Sequence, residues 1–236
     1  MNTSDKKNKV KKSCEKHGAY MARQREVMGV ILETGCQECI NEKEQEKDDQ
    51  RKKLIQAEKT RWISDCGTPE RYKNVTLDSI NPHQDQLEAL EKVRGFSQLK
   101  GDKNLIICGL YGTGKTMIAC GLIHTLGTGK YVRAADMARH IRDGFKTQEP
   151  EASIIKSYTS PKVLVIDELG LQADTDHEFR ILSEIIDRRY GDMKPTVLIS
   201  NLTPDKIANQ LGTGAWDRIS SNVEIITLVT KSKRGK

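Results

Sequence analysis

The chain has 236 residues, of which 36% are hydrophobic and 31% charged, and its formal net charge is +6. This length is enough for one α/β domain of ordinary size with a small appendage, and the apolar fraction excludes a disordered chain. The positive charge lies at the ends, since residues 1–12 carry five Lys against one Asp and residues 231–236 carry three Lys and one Arg. A broadly basic body is therefore excluded, and any nucleic-acid contact must come from a local patch or from the tails; solubilising ends are the alternative.

The protein is expected to be cytoplasmic. No run of about 18 apolar residues would span a membrane, and the Lys-rich start lacks the apolar segment of a secretory signal. Because thiols stay reduced in that compartment, the six cysteines are predicted to be metal ligands or buried thiols. Cys66, Cys108 and Cys120 are assigned to the buried group.

Four potential metal ligands come first along the chain. Cys14 and His17 form one closely spaced pair, Cys36 and Cys39 form another, and eighteen residues separate the pairs. Three thiolates and one imidazole suit a tetrahedral Zn²⁺ site, and four protein ligands leave no open position, so the predicted site is structural. Reduced thiols beside an incidental His are the alternative. Residues 1–40 are accordingly predicted to form a zinc-binding module.

A charged helical connector is predicted next. Residues 41–53 have high helix propensity but no apolar stripe, which indicates a solvated helix. The run Gly67-Thr68-Pro69 marks a break before the next domain. Residues 41–67 are therefore predicted to be the connector and residues 68–236 a second domain.

In this second domain apolar strands alternate with helical patterns. The predicted strands are 104–108, 131–134, 163–166, 196–200 and 223–228, and the predicted helices are 115–126, 135–144, 176–190 and 204–211. The alternation indicates parallel strands joined by crossover helices, which is a doubly wound α/β sheet. Only 35 residues follow Asn201 in this sequence, so no full helical lid domain is expected after it.

A glycine-rich run follows the first of these strands. It reads Gly109-Leu110-Tyr111-Gly112-Thr113-Gly114-Lys115-Thr116, and Met117 comes next. In the G-x-x-x-x-G-K-T pattern the glycines let backbone N–H groups face phosphate oxygens, Lys115 supplies a cation, and the Thr116 hydroxyl can bind Mg²⁺. A surface turn is the alternative, but a strand before the run and a helix after it favour a nucleoside triphosphate site, taken as ATP.

Two later strands end in polar residues at the same edge of the predicted sheet. Asp167 and Glu168 follow the third strand, and Asn201 follows the fourth. Asp167 is predicted to hold Mg²⁺, Glu168 to polarise an attacking water, and Asn201 to contact the γ-phosphate or that water. A capping role for Glu168 and a turn role for Asn201 are the alternatives.

The phosphate loop, the Asp-Glu pair and Asn201 together resemble the AAA+ ATPases. Other segments are similar to the DnaC-type helicase loaders and the related IstB-like transposition helpers: Thr68-Pro69-Glu70-Arg71-Tyr72, Asp187-Arg188-Arg189-Tyr190 and Trp216-Asp217-Arg218-Ile219. The N-terminal Cys/His pairs resemble the loaders and favour them over the transposition helpers. The resemblance implies an ATPase that binds a replicative DnaB-type helicase hexamer and single-stranded DNA, with nucleotide-gated release. It also implies that the zinc module contacts the helicase and that the ATPase domain self-associates.

The position of Arg218 is similar to an arginine finger that reaches the nucleotide of a neighbouring subunit, a role suited to a planar guanidinium. A surface Arg paired with Asp217 is the alternative, and Arg188 and Arg189 are ambiguous. Two other functions stay open. One is an IstB-like transposition helper acting on duplex DNA, and the other is a zinc-bearing adaptor whose nucleotide site is only structural.

Overall fold

The structure is a computed structural model that describes residues 8–98, 101–170 and 176–228. The chain divides into two compact units, residues 1–60 and residues 61–236. The basic run at residues 231–236 lies outside the described residues, as do the first two Lys of the N-terminal run. Among the described residues, no helix combines the length and apolar character needed to cross a bilayer.

The first unit contains a small antiparallel sheet that the sequence analysis did not predict. Its strands are β1 (Asn8–Cys14), β2 (Gly18–Val27) and β3 (Val30–Glu33), in the order β1-β2-β3. The two-residue turn Met28-Gly29 has positive φ at both positions, which suits a tight hairpin. Helix α1 (Gln37–Asp65) follows, and none of its residues is fully buried, in agreement with the predicted solvated helix.

The second unit is built on five parallel strands. Its elements are α2 (Gln84–Gln98), β4 (Asn104–Gly109), α3 (Lys115–Leu126), β5 (Lys130–Arg133), α4 (Ala134–Thr147), α5 (Glu151–Thr159), β6 (Leu164–Asp167), α6 (Asp176–Gly191), β7 (Thr196–Ser200), α7 (Pro204–Ser220) and β8 (Val223–Leu228). The sheet order is β5-β6-β7-β4-β8. The predicted doubly wound parallel sheet and its five strands are confirmed.

Three helical features differ from the prediction. The sequence analysis missed α2 and α5, and it ended the last helix at residue 211, whereas α7 continues to Ser220. The continuation passes through a kink at Gly212, where φ is 70°. Arg218 therefore lies on a helix, beyond the bend at Gly212.

Hydrophobic side chains are buried on both faces of the sheet, which is why the strand sequences are continuously apolar. In β4, Leu105 and Ile107 pack into the core on the side of α2 and α3, while Ile106 and Cys108 pack with α4 to α7. The predicted burial of Cys66, Cys108 and Cys120 is confirmed. Because the strands are parallel, the carboxyl ends of β4, β6 and β7 meet at one edge, where the predicted polar residues lie.

Candidate nucleotide and metal sites

The phosphate loop begins where β4 ends and closes where α3 begins. Gly109 has a φ of 140°, and a Cβ there would lie 2.1 Å from the carbonyl oxygen of Leu228, so only glycine fits against the neighbouring strand β8. Gly114, with φ 91°, turns the chain into the first residue of α3. Thr113 is buried and its hydroxyl donates to the Leu110 carbonyl, 2.9 Å away. The loop is thereby fixed around the start of a helix, a favourable place for an anion.

Lys115 is buried, and its ammonium group lies inside this loop. The Nζ atom donates to the carbonyl oxygens of Gly109 at 2.8 Å and Leu110 at 2.7 Å. It also donates to Oδ1 of Asn201 at 2.8 Å. The structure thus brings together Lys115 and Asn201, which lie 86 positions apart in the sequence.

Asp167 is buried at the end of β6 and accepts three hydrogen bonds. Oδ2 accepts from the Thr116 hydroxyl at 2.7 Å and from the Tyr131 hydroxyl at 2.7 Å, while Oδ1 accepts from the Glu168 backbone N–H at 2.7 Å. A carboxylate beside a hydroxyl is the oxygen donor set that Mg²⁺ prefers, so Thr116 and Asp167 fit that ion. Sequence reasoning did not identify Tyr131.

Glu168 is exposed and has a φ of 57°, in the left-handed region that non-glycine residues rarely occupy. Its neighbours hold the backbone in place, since the Leu169 N–H donates to the Ile199 carbonyl at 3.0 Å and the Ser200 hydroxyl donates to the Leu169 carbonyl. Strained backbone of this kind is concentrated at functional sites.

These residues line an open cleft with an empty volume of about 930 Å³. Its walls include Lys115, Thr116, Asp167, Glu168 and Asn201. Of the other predicted loop residues, Tyr111, Gly112, Gly114 and Met117 also line the cleft, whereas Gly109, Leu110 and Thr113 form the turn without lining it. Arg71 and Tyr72, which the sequence analysis left without a role, complete the wall.

Sequence reasoning also missed a support beneath the loop. Gln86, at the start of α2, is buried and donates through Nε2 to the Thr113 carbonyl at 2.6 Å. Its Oε1 accepts from the His83 N–H at 3.2 Å. A polar Gln in an otherwise amphipathic helix carries no motif, so only the fold connects it to the phosphate loop.

Arg218 lies near the amino-terminal ends of the parallel strands, whereas the cleft lies at their carboxyl ends. The side chain of Asn104, the first residue of β4, donates to the backbone carbonyl of Ile219 at 3.1 Å, whereas the phosphate loop follows the last residue of β4. The length of the strand separates the two places by about 17 Å. The guanidinium bonds to Asp187 at 3.1 Å and Asp217 at 3.0 Å, so the pairing with Asp217 considered from the sequence is present, and Arg218 does not line its own cleft.

The neighbouring arginines of α6 differ from each other. Arg188 is exposed and pairs with Glu184 at 2.7 Å. Arg189 is fully buried, and burial lowers its pKa to about 10. Its guanidinium makes five hydrogen bonds, to the Thr196 hydroxyl and to the carbonyls of Tyr158, Pro161, Lys162 and Pro195. Arg189 therefore joins α5, α6 and β7 and has a structural role.

In the first unit, the four predicted metal ligands form one cluster. The ligand atoms of Cys14, His17, Cys36 and Cys39 all lie within 4.8 Å of one another. The sulfurs of Cys14 and Cys39 are 3.4 Å apart, close to the ~3.8 Å edge of a tetrahedron of sulfurs around Zn²⁺. Backbone N–H groups of His17 and Lys16 help lower the pKa of Cys14 to about 6, whereas the hydrogen bond with Cys14 and burial raise the pKa of Cys39 to about 11.

His17 offers Nδ1 to this cluster, 3.2 Å from the Cys39 sulfur, while its Nε2 lies 3.1 Å from Glu42. A carboxylate on the far ring nitrogen is the usual partner of a metal-binding His. The donor set and its outer partner fit a zinc ion.

Comparison with known proteins gives a consistent family assignment. A family model described as IstB-like ATP binding protein matches residues 39–236. The replicative helicase loader DnaC of Escherichia coli K12 is 30% identical over 142 residues, covering 57% of this chain and 58% of that protein. DnaC of Buchnera aphidicola subsp. Schizaphis graminum is 27% identical over 168 residues, covering 67% and 68%. The chain thus spans little more than half the length of the E. coli relative.

Solved structures share the fold. A crystal structure of the DnaC helicase loader has a TM-score of 0.61 with 24% identity, covering 68% of this chain and 99% of that one. A crystal structure of DnaI has a TM-score of 0.57 with 17% identity, covering 70% and 94%. The family match begins at Cys39, so Cys14, His17 and Cys36 precede it. The AAA+ type fold and the family resemblance inferred from the sequence are confirmed, and the chain belongs to the IstB-like ATP binding protein family.

Proposed function

We propose that the chain is an ATP-dependent loader of the replicative helicase, and that residues 68–236 bind and hydrolyse ATP. The observation that carries the ATPase proposal is the convergence of Lys115, Thr116, Asp167 and Asn201 through hydrogen bonds of 2.7 to 2.8 Å, with Glu168 beside them. Cation, hydroxyl, two carboxylates and amide are the groups that phosphoryl transfer to water requires.

Each residue then has a defined task. Lys115 and the backbone N–H groups of the loop bind the β- and γ-phosphates. Thr116 and Asp167 hold Mg²⁺, which when bound offsets the charge of the phosphate oxygens. Glu168 accepts a proton from the water whose oxygen attacks the γ-phosphorus, and the bond from that phosphorus to ADP breaks. Asn201 holds the water or the γ-phosphate.

The ATPase proposal is tested with Glu168→Gln. Removing the proton acceptor should lower kcat at least a hundredfold while the affinity for ATP stays within about twofold. Glu88→Gln is a matched control, because Glu88 is an exposed carboxylate on α2 that pairs only with Lys92 among the described residues. Turnover that survives in the Glu168 variant would favour the adaptor whose nucleotide site is structural.

We assign Arg218 to the nucleotide of a neighbouring subunit, since it lies on the sheet edge away from its own cleft. A mixing experiment tests this. Arg218→Ala retains its cleft but lacks the finger, and Lys115→Ala retains the finger but lacks a working cleft. Each variant alone should be inactive, and an equimolar mixture should recover activity as protein concentration rises. A mixture that stays inactive while wild type is active would contradict action between subunits.

The loader assignment is supported by the similarity to proteins named replicative helicase loaders. In this proposal residues 1–40 form a zinc module that binds a replicative DnaB-type hexamer, residues 41–67 connect it to the ATPase, the body binds single-stranded DNA, and ATP turnover gates release in the cytoplasm. The full chain should retain the helicase of its host in a pull-down, and chelation of zinc should abolish retention without changing ATP affinity.

An IstB-like transposition helper is the second candidate, because the matching family model is described as IstB-like ATP binding protein. Recovery of a transposase in the pull-down, with ATP turnover stimulated by duplex and not by single-stranded DNA, would favour it over the loader.

A further inference from the structure

The outer face of the N-terminal sheet carries four cations and no acid. In the pairing register, Lys9 lies directly opposite Arg23, and Lys11 and Arg25 lie two residues further along their strands, so all four side chains share one face. The remaining residues of this face in the three strands are small or apolar. We call Lys9, Lys11, Arg23 and Arg25 the cationic face; all four are exposed.

The two faces of this sheet differ in how their charges are neutralised. On the opposite face Lys12 pairs with Glu33 at 2.5 Å, and Gln24 also donates to Glu33. That face also carries Cys14, a member of the metal cluster. By contrast, no residue of the cationic face forms an ion pair with any residue that the structure describes. Like charges placed opposite each other across antiparallel strands destabilise a sheet, so the pair Lys9 and Arg23 is an arrangement that a bound anion would stabilise.

We propose that the cationic face binds the phosphate backbone of a nucleic acid. Clustered Lys and Arg are the electrostatic footprint of nucleic-acid binding, whereas the centres of protein interfaces are depleted in charge and in Lys. The terminal segments outside the described residues supply no net negative charge to the face, because residues 1–7 and 229–236 are themselves net positive. A second copy of the same face would repel it.

The face has no aromatic side chain in the described strands, and Tyr20 lies on the other side of the sheet. Base stacking on aromatic rings is what gives single-strand binders their preference for unpaired bases. Binding at the cationic face is therefore expected to depend on phosphates, to be steeply sensitive to salt, and to distinguish little between single strands and duplex.

The experiment uses the zinc-loaded full chain and fluorescence anisotropy of labelled 20-nucleotide DNA, single-stranded and duplex, between 50 and 200 mM salt. The double variant Lys11→Gln with Arg23→Gln should reduce affinity for both at least tenfold. The log-log salt slope for duplex should fall by about 1.8, as expected for two lost phosphate contacts. Lys43→Gln with Lys47→Gln is the control, since these exposed residues of α1 lie in the same unit and lose the same charge.

Zinc content of one ion per chain in both double variants establishes that the module is folded. An unchanged salt slope in the Lys11 and Arg23 variant would overturn the proposal. So would retained DNA affinity together with lost binding to the helicase, because that result assigns the face to an acidic protein.

A second inference concerns Tyr131 and rests on the proposed Mg·ATP site. Its hydroxyl donates to the same Asp167 oxygen that accepts from Thr116. Thr116 lines the cleft and can exchange Asp167 for a ligand, whereas Tyr131 is only 5% exposed and does not line the cleft. The backbone of Tyr131 is also held, since its N–H donates to the Cys66 carbonyl at 2.7 Å. The geometry points to Tyr131 as a positioning residue that keeps the Asp167 carboxylate oriented for Mg²⁺.

Tyr131→Phe keeps the buried ring and removes only the hydroxyl. Affinity for a fluorescent ATP analogue is measured with Mg²⁺ and with EDTA. The ratio of the affinity in Mg²⁺ to the affinity in EDTA should be about tenfold smaller for the variant than for wild type. In EDTA the two proteins should bind the analogue equally. Tyr158→Phe is the control, because Tyr158 is a buried tyrosine whose hydroxyl lies 2.8 Å from His140.

A full Mg²⁺-dependent gain in Tyr131→Phe, or an equal loss with and without Mg²⁺, would overturn the positioning role. Wild-type protein that binds no analogue in either condition would instead contradict the proposed function.

Discussion

Arg189 offers the sharpest test of how this fold is stabilised. Its guanidinium donates five hydrogen bonds to acceptors on α5, on the loops before β6 and β7, and on β7 itself, and its side chain is fully buried. Arg189→Lys preserves the charge but supplies at most three donors, so at least two buried acceptors lose their partners. At about 1 to 2 kcal/mol for each stripped acceptor, the free energy of unfolding should fall by about 2 to 4 kcal/mol.

Urea unfolding followed by tryptophan fluorescence measures this loss. Trp62 and Trp216 both lie in the second unit, so the signal reports on the α/β body. With a slope of about 2 kcal/mol per molar urea, the midpoint should fall by about 1 to 2 M. Arg188→Ala is the adjacent control, since it removes one exposed ion pair worth about 0.5 kcal/mol. Equal midpoints for the two variants would refute the structural role of Arg189.

Three further outcomes are expected. Gly67→Ala should lower the free energy of unfolding by about 2 kcal/mol or more, because Gly67 has a φ of 84° and a Cβ there would lie 2.3 Å from the Tyr131 carbonyl oxygen. A urea midpoint equal to that of wild type would contradict this prediction. Gln86→Met should weaken ATP binding about fivefold, because it removes the hydrogen bond to the Thr113 carbonyl. Titration with a fluorescent ATP analogue measures this, and an unchanged affinity would show that the phosphate loop does not need the hydrogen bond from Gln86. Cys36→Ser should abolish stoichiometric zinc binding, measured by elemental analysis, and should unfold the N-terminal unit. The urea transition of the α/β body, followed by tryptophan fluorescence, should remain. A variant that retains one zinc per chain would exclude Cys36 as a ligand.

The sequence was most informative where chemistry and local structure coincide. Continuous apolar runs identified the five parallel strands, and polar residues at their ends identified the sheet edge where Lys115, Asp167 and Asn201 meet. Metal-ligand spacing alone predicted that Cys14 and Cys39 lie together, although 25 positions separate them. Spacing is reliable in these cases because phosphate loops and tetrahedral sites restrict which residues can occupy each position.

The parts that the sequence did not show are those decided by tertiary contact. Strands β1 and β2 are mostly exposed and rich in charged residues, and β3 has only four residues, all exposed, so their sequences lack the burial pattern that marks a strand. Tyr131 looked like an ordinary strand residue, and only the pairing of β5 beside β6 directs its hydroxyl to Asp167. Arg188 and Arg189 are adjacent and chemically identical, yet the helix places one in solvent and the other in the core. No single-sequence pattern distinguishes such neighbours.

The hydrogen bonds of the Lys115 ammonium to the loop and to Asn201 have a consequence for the proposed nucleotide cycle. Because two loop carbonyls and the Asn201 amide oxygen already accept its protons, departure of a nucleotide leaves no bare charge in the interior. A bound triphosphate would replace these protein acceptors of Lys115 with phosphate oxygens. The contribution of Lys115 to the affinity is then the difference in free energy between the two sets of hydrogen bonds. In the proposed ATPase, the Asn201 amide oxygen released from Lys115 by a bound triphosphate would then be available to contact the γ-phosphate or the attacking water.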